Sequence, residues 1–270
     1  MTSPIAFVSG SSSGIGAETA VELARRGFDL IVHARTNLRG AQTVAKHIQG
    51  LGQNSLAITG NIACGQTCIN LIAAAYAWQG RLDALINLAG FDALTGSNAS
   101  LSFNDKLGHL LDTDVRGTVQ MCRAFFDRVT ESDVADPEAP DENVREDQHL
   151  PCIINIGWDQ ANTAMEGTPG QLFCTTKAAV EAFTKAFALT CENRIRVNLV
   201  APGWIQTKWS GQASEYWSSR ARAESLSGRW GTPKDVADTI GWLCSPEAAF
   251  INAQVIAVNG GLRHPILPNS

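Results

Sequence analysis

The sequence predicts one α/β domain in which a doubly wound parallel sheet is flanked by helices on both faces. Short apolar segments alternate with amphipathic ones along most of the chain, and a glycine-rich turn joins the first pair. A parallel strand that is covered on both faces is apolar throughout, whereas a crossover helix keeps one polar side. With 270 residues, 44% of them apolar, the chain has the size of a single domain over residues 1–270.

Seven apolar segments are predicted to be strands, because each is short, aliphatic and bounded by turn residues. They cover residues 5–10, 28–34, 55–60, 82–90, 152–157, 195–203 and 253–261. Segments with apolar residues at helical spacing predict helices over 16–27, 38–52, 68–80 and 175–191. Such βαβ units cross over with a right hand and bind ligands beyond the carboxyl ends of the strands. The expected architecture is therefore Rossmann-type.

Composition and charge exclude several classes of partner. The net charge of −5 argues against nucleic acid and against an anionic membrane surface. No apolar run approaches the roughly 18 residues of a membrane helix. The N-terminus also lacks the basic flank and long apolar stretch of a signal peptide. We therefore expect a cytoplasmic protein without a membrane partner.

The cysteines predict reduced thiols in the core. Their number is odd, they form no CxxC pair, and no histidine pattern typical of metal ligands accompanies them. They are Cys64, Cys68, Cys122, Cys152, Cys174, Cys191 and Cys244. We expect neither disulfides nor a metal site.

Residues 131–150 interrupt the alternation of strands and helices. This segment contains eight acidic residues, one arginine and two prolines, with few apolar residues to bury. Such a composition predicts a flexible acidic insertion. A contact surface for a basic partner is the alternative interpretation.

The strongest motif is the glycine-rich turn, Ser9-Gly10-Ser11-Ser12-Ser13-Gly14-Ile15-Gly16. It follows the first strand and opens the first helix, where glycines let the backbone approach a pyrophosphate. The helix N-terminus adds unpaired N–H groups and a partial positive charge. The predicted contacts are Gly10, Ser12, Ser13, Gly14, Ile15 and Gly16.

The G-x-x-x-G-x-G spacing of this turn resembles the short-chain dehydrogenase/reductase family, in particular its 3-oxoacyl-carrier-protein reductase type. Four further segments, in the family's order, are similar to its motifs: Asn87-Leu88-Ala89-Gly90, Pro202 to Thr207, Arg229 to Pro233, and Val258 to Gly261. The resemblance implies a homo-tetramer or homo-dimer. It also implies cofactor contacts from Asn61, Ile62, Asn87, Ala89, Gly90, Lys177, Pro202, Gly203, Ile205 and Thr207.

The end of the second strand indicates which dinucleotide is bound. An acid there would bind both ribose hydroxyls, but the chain has Ala34 followed by Arg35. A permanent cation suits a 2′-phosphate, so NADP(H) is expected in preference to NAD(H). His33 and Arg39 lie nearby in sequence, and Asn61 is expected to bind adenine. The alternative for Arg35 is an ordinary surface charge.

The family's proton-donating residues are largely replaced. The resemblance implies a serine after the fifth strand, a Tyr-x-x-x-Lys motif and an asparagine on the fourth helix. The chain keeps Lys177 but has Phe173 for the tyrosine, Trp158 for the serine and Asp114 for the asparagine. A positioned general acid typically contributes a factor of 10²–10⁴, so ordinary ketone reduction is expected to be weak.

Two carboxylates are candidates for substitute chemistry. Asp159 lies next to Trp158, which would raise its pKa and let it act as an acid, while Asp114 is expected to pair with Lys177. Structural, hydrogen-bonded carboxylates are the alternative. Trp158 and Phe173 are expected to form an aromatic wall that stacks a flat heterocycle or fills the site.

Residues 204–230 are expected to form a substrate lid. Four tryptophans lie in this stretch among polar residues, namely Trp204, Trp209, Trp217 and Trp230. Lids of this kind close over a cofactor and exclude water. The tryptophans would line a pocket, or alternatively belong to the core or to a subunit contact.

The sequence thus predicts an NADP(H)-dependent oxidoreductase with altered proton delivery that reduces a carbonyl or a heterocycle. The alternative is a catalytically inactive dinucleotide-binding protein that acts as a sensor, a scaffold or a partner subunit. The substrate does not follow from the sequence, because fold does not fix function.

Overall fold

The computed structural model describes residues 3–135, 150–207 and 215–263. Seven parallel strands form one sheet in the order β3-β2-β1-β4-β5-β6-β7. They are β1 (Ile5–Ser9), β2 (Asp29–Ala34), β3 (Ser55–Thr59), β4 (Ala84–Asn87), β5 (Cys152–Ile156), β6 (Arg196–Pro202) and β7 (Val255–Val258). The predicted doubly wound, Rossmann-type single domain is confirmed.

Eight α-helices are present in the described ranges. They are α1 (Gly14–Arg25), α2 (Leu38–Gly50), α3 (Gly65–Gln79), α4 (Phe103–Leu110), α5 (Thr118–Ala135), α6 (Gly167–Cys191), α7 (Glu215–Glu224) and α8 (Pro233–Leu243). A π-helical segment, Leu111–Gly117, joins α4 to α5. Among the described residues, no helix has the length and apolarity needed to cross a membrane.

The two faces of the sheet are covered by separate hydrophobic cores. Val8 and Ile154 belong to the core shared with α1, α2 and α8, whereas Phe7 and Ile153 belong to the core shared with α3, α5 and α6. Successive strand residues point to opposite faces, so a strand that is apolar throughout serves both cores.

The fourth strand is shorter than the predicted 82–90. It ends at Asn87 because the next two amides, of Leu88 and Ala89, donate to Ser9 Oγ at 3.0 and 3.1 Å instead of continuing the sheet. The chain therefore turns away where β1 also ends, and both turns open at the carboxyl edge of the sheet.

The long helix α6 begins at Gly167, well before the predicted residue 175. Its first turns pack tightly on the preceding loop, since a Cβ on Gly170 would overlap the carbonyl oxygen of Met165. The sequence pattern missed this start because Gly167, Pro169 and Gly170 are residues typical of turns.

The boundary of the predicted acidic insertion, 131–150, is corrected at its start. Residues 131–135 belong to α5, whose last turns are supported by an ion pair between Arg128 and Glu131 at 3.1 Å. A helix that is already formed propagates easily, so acidic composition alone does not end it. Residues 136–149 lie outside the described part, and the flexible insertion stays a prediction there.

Candidate active site

The glycine-rich turn leaves the N-terminus of α1 open. Gly10 has a φ of +68° and lies so close to the end of β4 that a Cβ would be 2.7 Å from Ala89 Cα. A Cβ on Gly16 would overlap the carbonyl oxygen of Gly10. Ser13 and Gly14 are exposed, and the N-cap side chain of Ser13 makes no capping hydrogen bond. The first-turn amides therefore face solvent, and this geometry fits a diphosphate.

Two residues that were not among the predicted cofactor contacts, Ser11 and His33, hold the turn in position. Ser11 Oγ donates to Val8 O at 2.6 Å and accepts from the His33 amide at 2.9 Å. The His33 ring accepts from Gly10 N at 3.3 Å and donates through Nε2 to Gly60 O at 2.9 Å. Burial lowers the pKa of His33, so the ring is neutral. A histidine in an otherwise aliphatic strand was the signal for this role.

The residues expected around the adenosine lie on the surface beside the turn. Arg35 and Arg39 are exposed at the end of β2 and the start of α2, and Arg35 makes no ion pair within the described ranges. Asn61 is exposed, and its Oδ1 accepts from Ala63 N at 3.2 Å. Ile62 is buried and packs on the π-helical segment.

Asn87, which stays a predicted cofactor contact, lies at the end of β4. Its side chain is buried, and Nδ2 donates to Asn155 Oδ1 at 2.9 Å. Asn155 donates in turn to Thr184 Oγ1 at 2.9 Å, which links β4 and β5 to α6. The Asn87 side chain thus ties the sheet together beneath the site.

Lys177 and Asp114 form the charged centre of the site. Lys177 Nζ lies 2.9 Å from Asp114 Oδ2, with side chains only 12% and 3% exposed. The other carboxylate oxygen of Asp114 accepts from Phe91 N at 2.8 Å. The predicted pairing is therefore present, and the buried carboxylate directly offsets the charge of the lysine.

The side chain of Lys177 lines an apolar cavity of about 540 Å³. Trp158 and Phe173 meet edge to face on its wall, with ring centroids 6.1 Å apart. The lining consists of Ile15, Leu94, Ile156, Gly157, Trp158, Met165, Pro169, Phe173, Lys177, Pro202, Gly203, Trp204, Ile205, Thr207, Trp217 and Trp230. Ile15 connects this cavity to the glycine-rich turn, so one continuous site runs from the turn to the aromatic wall.

The described part of the predicted lid, residues 204–207 and 215–230, closes one side of the cavity. The ring centroid of Trp204 lies 5.7 Å from those of both Trp217 and Trp230. Trp204 Nε1 donates to Glu224 Oε2 at 2.8 Å. Trp209 lies outside the described residues.

Arg220 fastens α7 to the start of α6. Its guanidinium pairs with Glu224 on its own helix and with Glu166, the N-cap of α6. It also lies over the Trp217 ring, 5.5 Å from the centroid. These lid residues carried no motif, so sequence reasoning did not single out Arg220, Glu224 or Glu166.

Asp159 lies behind the cavity wall and is not one of the lining residues. Its Oδ2 accepts from Asn259 Nδ2 at 3.1 Å, and its carboxylate packs against Gly203. Burial raises its pKa to about 6, whereas the hydrogen bond from Asn259 opposes the rise. Cys174 also points away from the cavity and donates to Gln160 O at 3.3 Å.

Comparison with known proteins identifies the family. A family model described as enoyl-(acyl carrier protein) reductase matches residues 10–263. The chain belongs to the short-chain dehydrogenase/reductase family. The match covers both the glycine-rich turn and the altered wall, so one ancestral domain accounts for the whole site.

Curated relatives of this short-chain dehydrogenase/reductase are oxidoreductases. Short-chain dehydrogenase/reductase FrzI from Cladobotryum sp is 29% identical, with 95% of each chain covered. The 3-oxoacyl-(acyl-carrier-protein) reductase FabG from Staphylococcus aureus is also 29% identical, covering 95% of this chain and 97% of that protein. The resemblance drawn from the motifs is confirmed.

Solved structures agree with this assignment. A short-chain dehydrogenase from Burkholderia cenocepacia in complex with NADP has a TM-score of 0.79 and 26% identity, covering 96% of this chain and 97% of that chain. A 7α-hydroxysteroid dehydrogenase complexed with NADH and 7-oxo glycochenodeoxycholic acid has a TM-score of 0.81 and 23% identity, covering 96% and 94%. The second likeness shows the shared fold.

Proposed function

We propose that this short-chain dehydrogenase/reductase binds NADP(H) and reduces a substrate in an apolar cavity without a phenol to donate a proton. The observation that carries the proposal is the continuity of the site. The open glycine-rich turn leads past Ile15 to Lys177, where Phe173 and Trp158 occupy the wall. The substrate is a carbonyl compound or a heterocycle.

The residues that would hold the dinucleotide divide into three groups. The amides from Ser12 to Gly16 would bind the diphosphate through the start of α1. Arg35 would bind the 2′-phosphate, since the acid that rejects it is replaced by buried Ala34. Lys177 would bind the nicotinamide ribose. When bound, NADPH supplies a hydride for transfer to the substrate.

Asp114 would act on Lys177 rather than on substrate. The Asp114 carboxylate accepts from Phe91 N and pairs with Lys177 Nζ. It therefore holds the ammonium group of Lys177, a residue of α6, close to the loop that follows β4. It also cancels the positive charge that would otherwise help to lower the pKa of a neighbouring phenol. In this chain no such phenol is present at position 173, which suits the neutralised lysine.

The second candidate is a dinucleotide-binding protein without turnover. It is favoured by the lining of the cavity, in which Lys177, Thr207 and the indole N–H groups are the polar side-chain groups in the described part of the chain. Such a protein would act as a sensor, a scaffold or a partner subunit, as a homo-tetramer or homo-dimer.

Binding and oxidation of NADPH separate the two candidates. We expect Arg35→Ala to weaken NADPH binding about tenfold while leaving NADH binding unchanged, since one charge-assisted phosphate contact is lost. Arg123→Ala is the matched control, because Arg123 is an exposed arginine on α5. NADPH oxidation with ketones and flat heterocycles then tests turnover. Binding without oxidation of NADPH by any of them would select the second candidate.

A further inference from the structure

The cavity has features of a site for an organic cation. Its lining contains four indole rings and one phenyl ring, those of Trp158, Trp204, Trp217, Trp230 and Phe173. The faces of aromatic rings attract cations, and aromatic cages are a common way of binding quaternary ammonium groups. One of these rings already contacts a cation, because the guanidinium of Arg220 lies over the ring of Trp217.

The charged side chains in and beside the cavity form ion pairs. Lys177, the one charged side chain of the lining among the described residues, is paired with Asp114 and so contributes little net field. Arg220 is paired with both Glu166 and Glu224.

The carboxylates near the cavity lie behind its lining, where Asp159 packs against Gly203 and where Glu166 and Glu224 pair with Arg220. Because Lys177 and Arg220 are each offset by a carboxylate, the surroundings do not oppose a positive guest.

The missing proton donor fits a substrate that is already a cation. A ketone that accepts a hydride becomes an alkoxide and needs a proton from a positioned acid. Phe173, which lines the cavity, has none to give. An iminium ion has no such requirement, because its charge disappears during the reaction.

We propose that the substrate is an iminium ion in a flat or cyclic amine, recognised by the aromatic rings of the cavity beside a Lys177 whose charge is offset by Asp114. This inference rests on the proposed function. The iminium carbon accepts a hydride from NADPH, the C=N π pair becomes the nitrogen lone pair, and the products are a neutral tertiary amine and NADP⁺. No proton enters or leaves.

Binding of a cation can be measured without the cofactor. N,N-dimethyl-1,2,3,4-tetrahydroisoquinolinium, which cannot react, is titrated while tryptophan fluorescence is recorded, with its neutral carbon analogue 2,2-dimethyltetralin for comparison. We expect the cation to bind at least about tenfold more tightly. Equal or tighter binding of the neutral analogue would overturn the inference.

Asp114→Asn removes the charge that offsets Lys177 and keeps an acceptor for Phe91 N. We expect it to weaken binding of the cation about tenfold and to leave 2,2-dimethyltetralin unchanged. The matched control is Asp112→Asn, which removes an exposed carboxylate from the same helical segment and should change neither. Unchanged cation binding in Asp114→Asn would contradict the role of this carboxylate.

Turnover is measured with NADPH and one of two substrates. These are the iminium ion N-methyl-3,4-dihydroisoquinolinium and the ketone 1-tetralone. We expect a kcat/KM at least about 100-fold higher for the cation, since only the ketone needs the missing acid. If NADPH binds but the cation is not reduced faster than the ketone, the iminium inference is overturned and the proposed function is not affected. If NADPH does not bind, the proposed function fails, and the fluorescence titration still tests the cavity.

Discussion

The two ends of the site differ in how far they keep the pattern of the family. At the α1 end, Gly10 and Gly16 allow the close backbone approach that a diphosphate needs. At the α6 end, Phe173 and Trp158 meet edge to face at positions where the sequence resemblance predicts hydroxyl groups. The difference teaches that the requirements for holding a dinucleotide and for donating a proton are separable, because different elements supply them.

The largest expected effect comes from returning hydroxyl groups to the wall. The double change Phe173→Tyr and Trp158→Ser should raise 1-tetralone reduction at least about 100-fold, because a positioned general acid contributes roughly 10²–10⁴. NADPH oxidation measures it. Phe183→Tyr is the matched control, since it adds a phenol to α6 outside the cavity. No gain in a variant that still binds NADPH would mean that the two ends are not separable.

The next effect tests the other end of the site. Gly16→Ala should weaken NADPH binding roughly 30-fold, because overpacking costs about 1–3 kcal/mol and the new Cβ overlaps Gly10 O. Calorimetric titration measures it. Gly108→Ala is the control, since a Cβ there meets open space in α4. A Gly16→Ala protein that folds and binds NADPH normally would refute the role of the turn.

A smaller effect is expected at the lid. Arg220→Ala removes the pairs with Glu166 and Glu224 that fasten α7 to α6, so limited proteolysis near α7 should be about threefold faster. Lys234→Ala removes an exposed pair with Asp238 on α8 and should leave the rate unchanged. Equal rates in all three proteins would show that the lid is held by other contacts.

The smallest effect concerns the pH dependence of stability at the turn. Burial lowers the folded pKa of His33 below its unfolded value of about 6.5. Below pH 6.5 the unfolded chain therefore binds a proton at His33 that the folded protein does not bind. The free energy of unfolding falls as the pH is lowered, until the folded pKa is reached.

His33→Gln should reduce this loss of stability between pH 7.5 and 5.5, as measured by urea unfolding. His47→Gln, an exposed change on α2, should keep the full pH dependence. The same pH dependence in wild type and His33→Gln would mean that another group controls it.

The architecture and the cofactor end were predictable from the sequence for local reasons. Strand patterns and glycine spacing depend on neighbouring residues, and they placed β1, β2 and the turn between β1 and α1 within a few residues. The replacement at Phe173 was also visible, because the spacing to Lys177 is fixed along one helix.

The arrangement around the wall could not be predicted in the same way. The pairing of Arg220 with Glu166 joins residues that are 54 positions apart, and Asn259 meets Asp159 across 100 positions. Such contacts follow from how the lid and strand ends pack, which periodicity does not encode. For the same reason the buried hydrogen bond between Asn87 and Asn155 did not follow from the sequence.

The most direct test of the central claim is a calorimetric titration of the wild-type protein with NADPH and with NADH. The account predicts a micromolar dissociation constant for NADPH and weaker binding of NADH. No heat of binding with either dinucleotide would contradict it, because the start of α1 would then not hold a diphosphate.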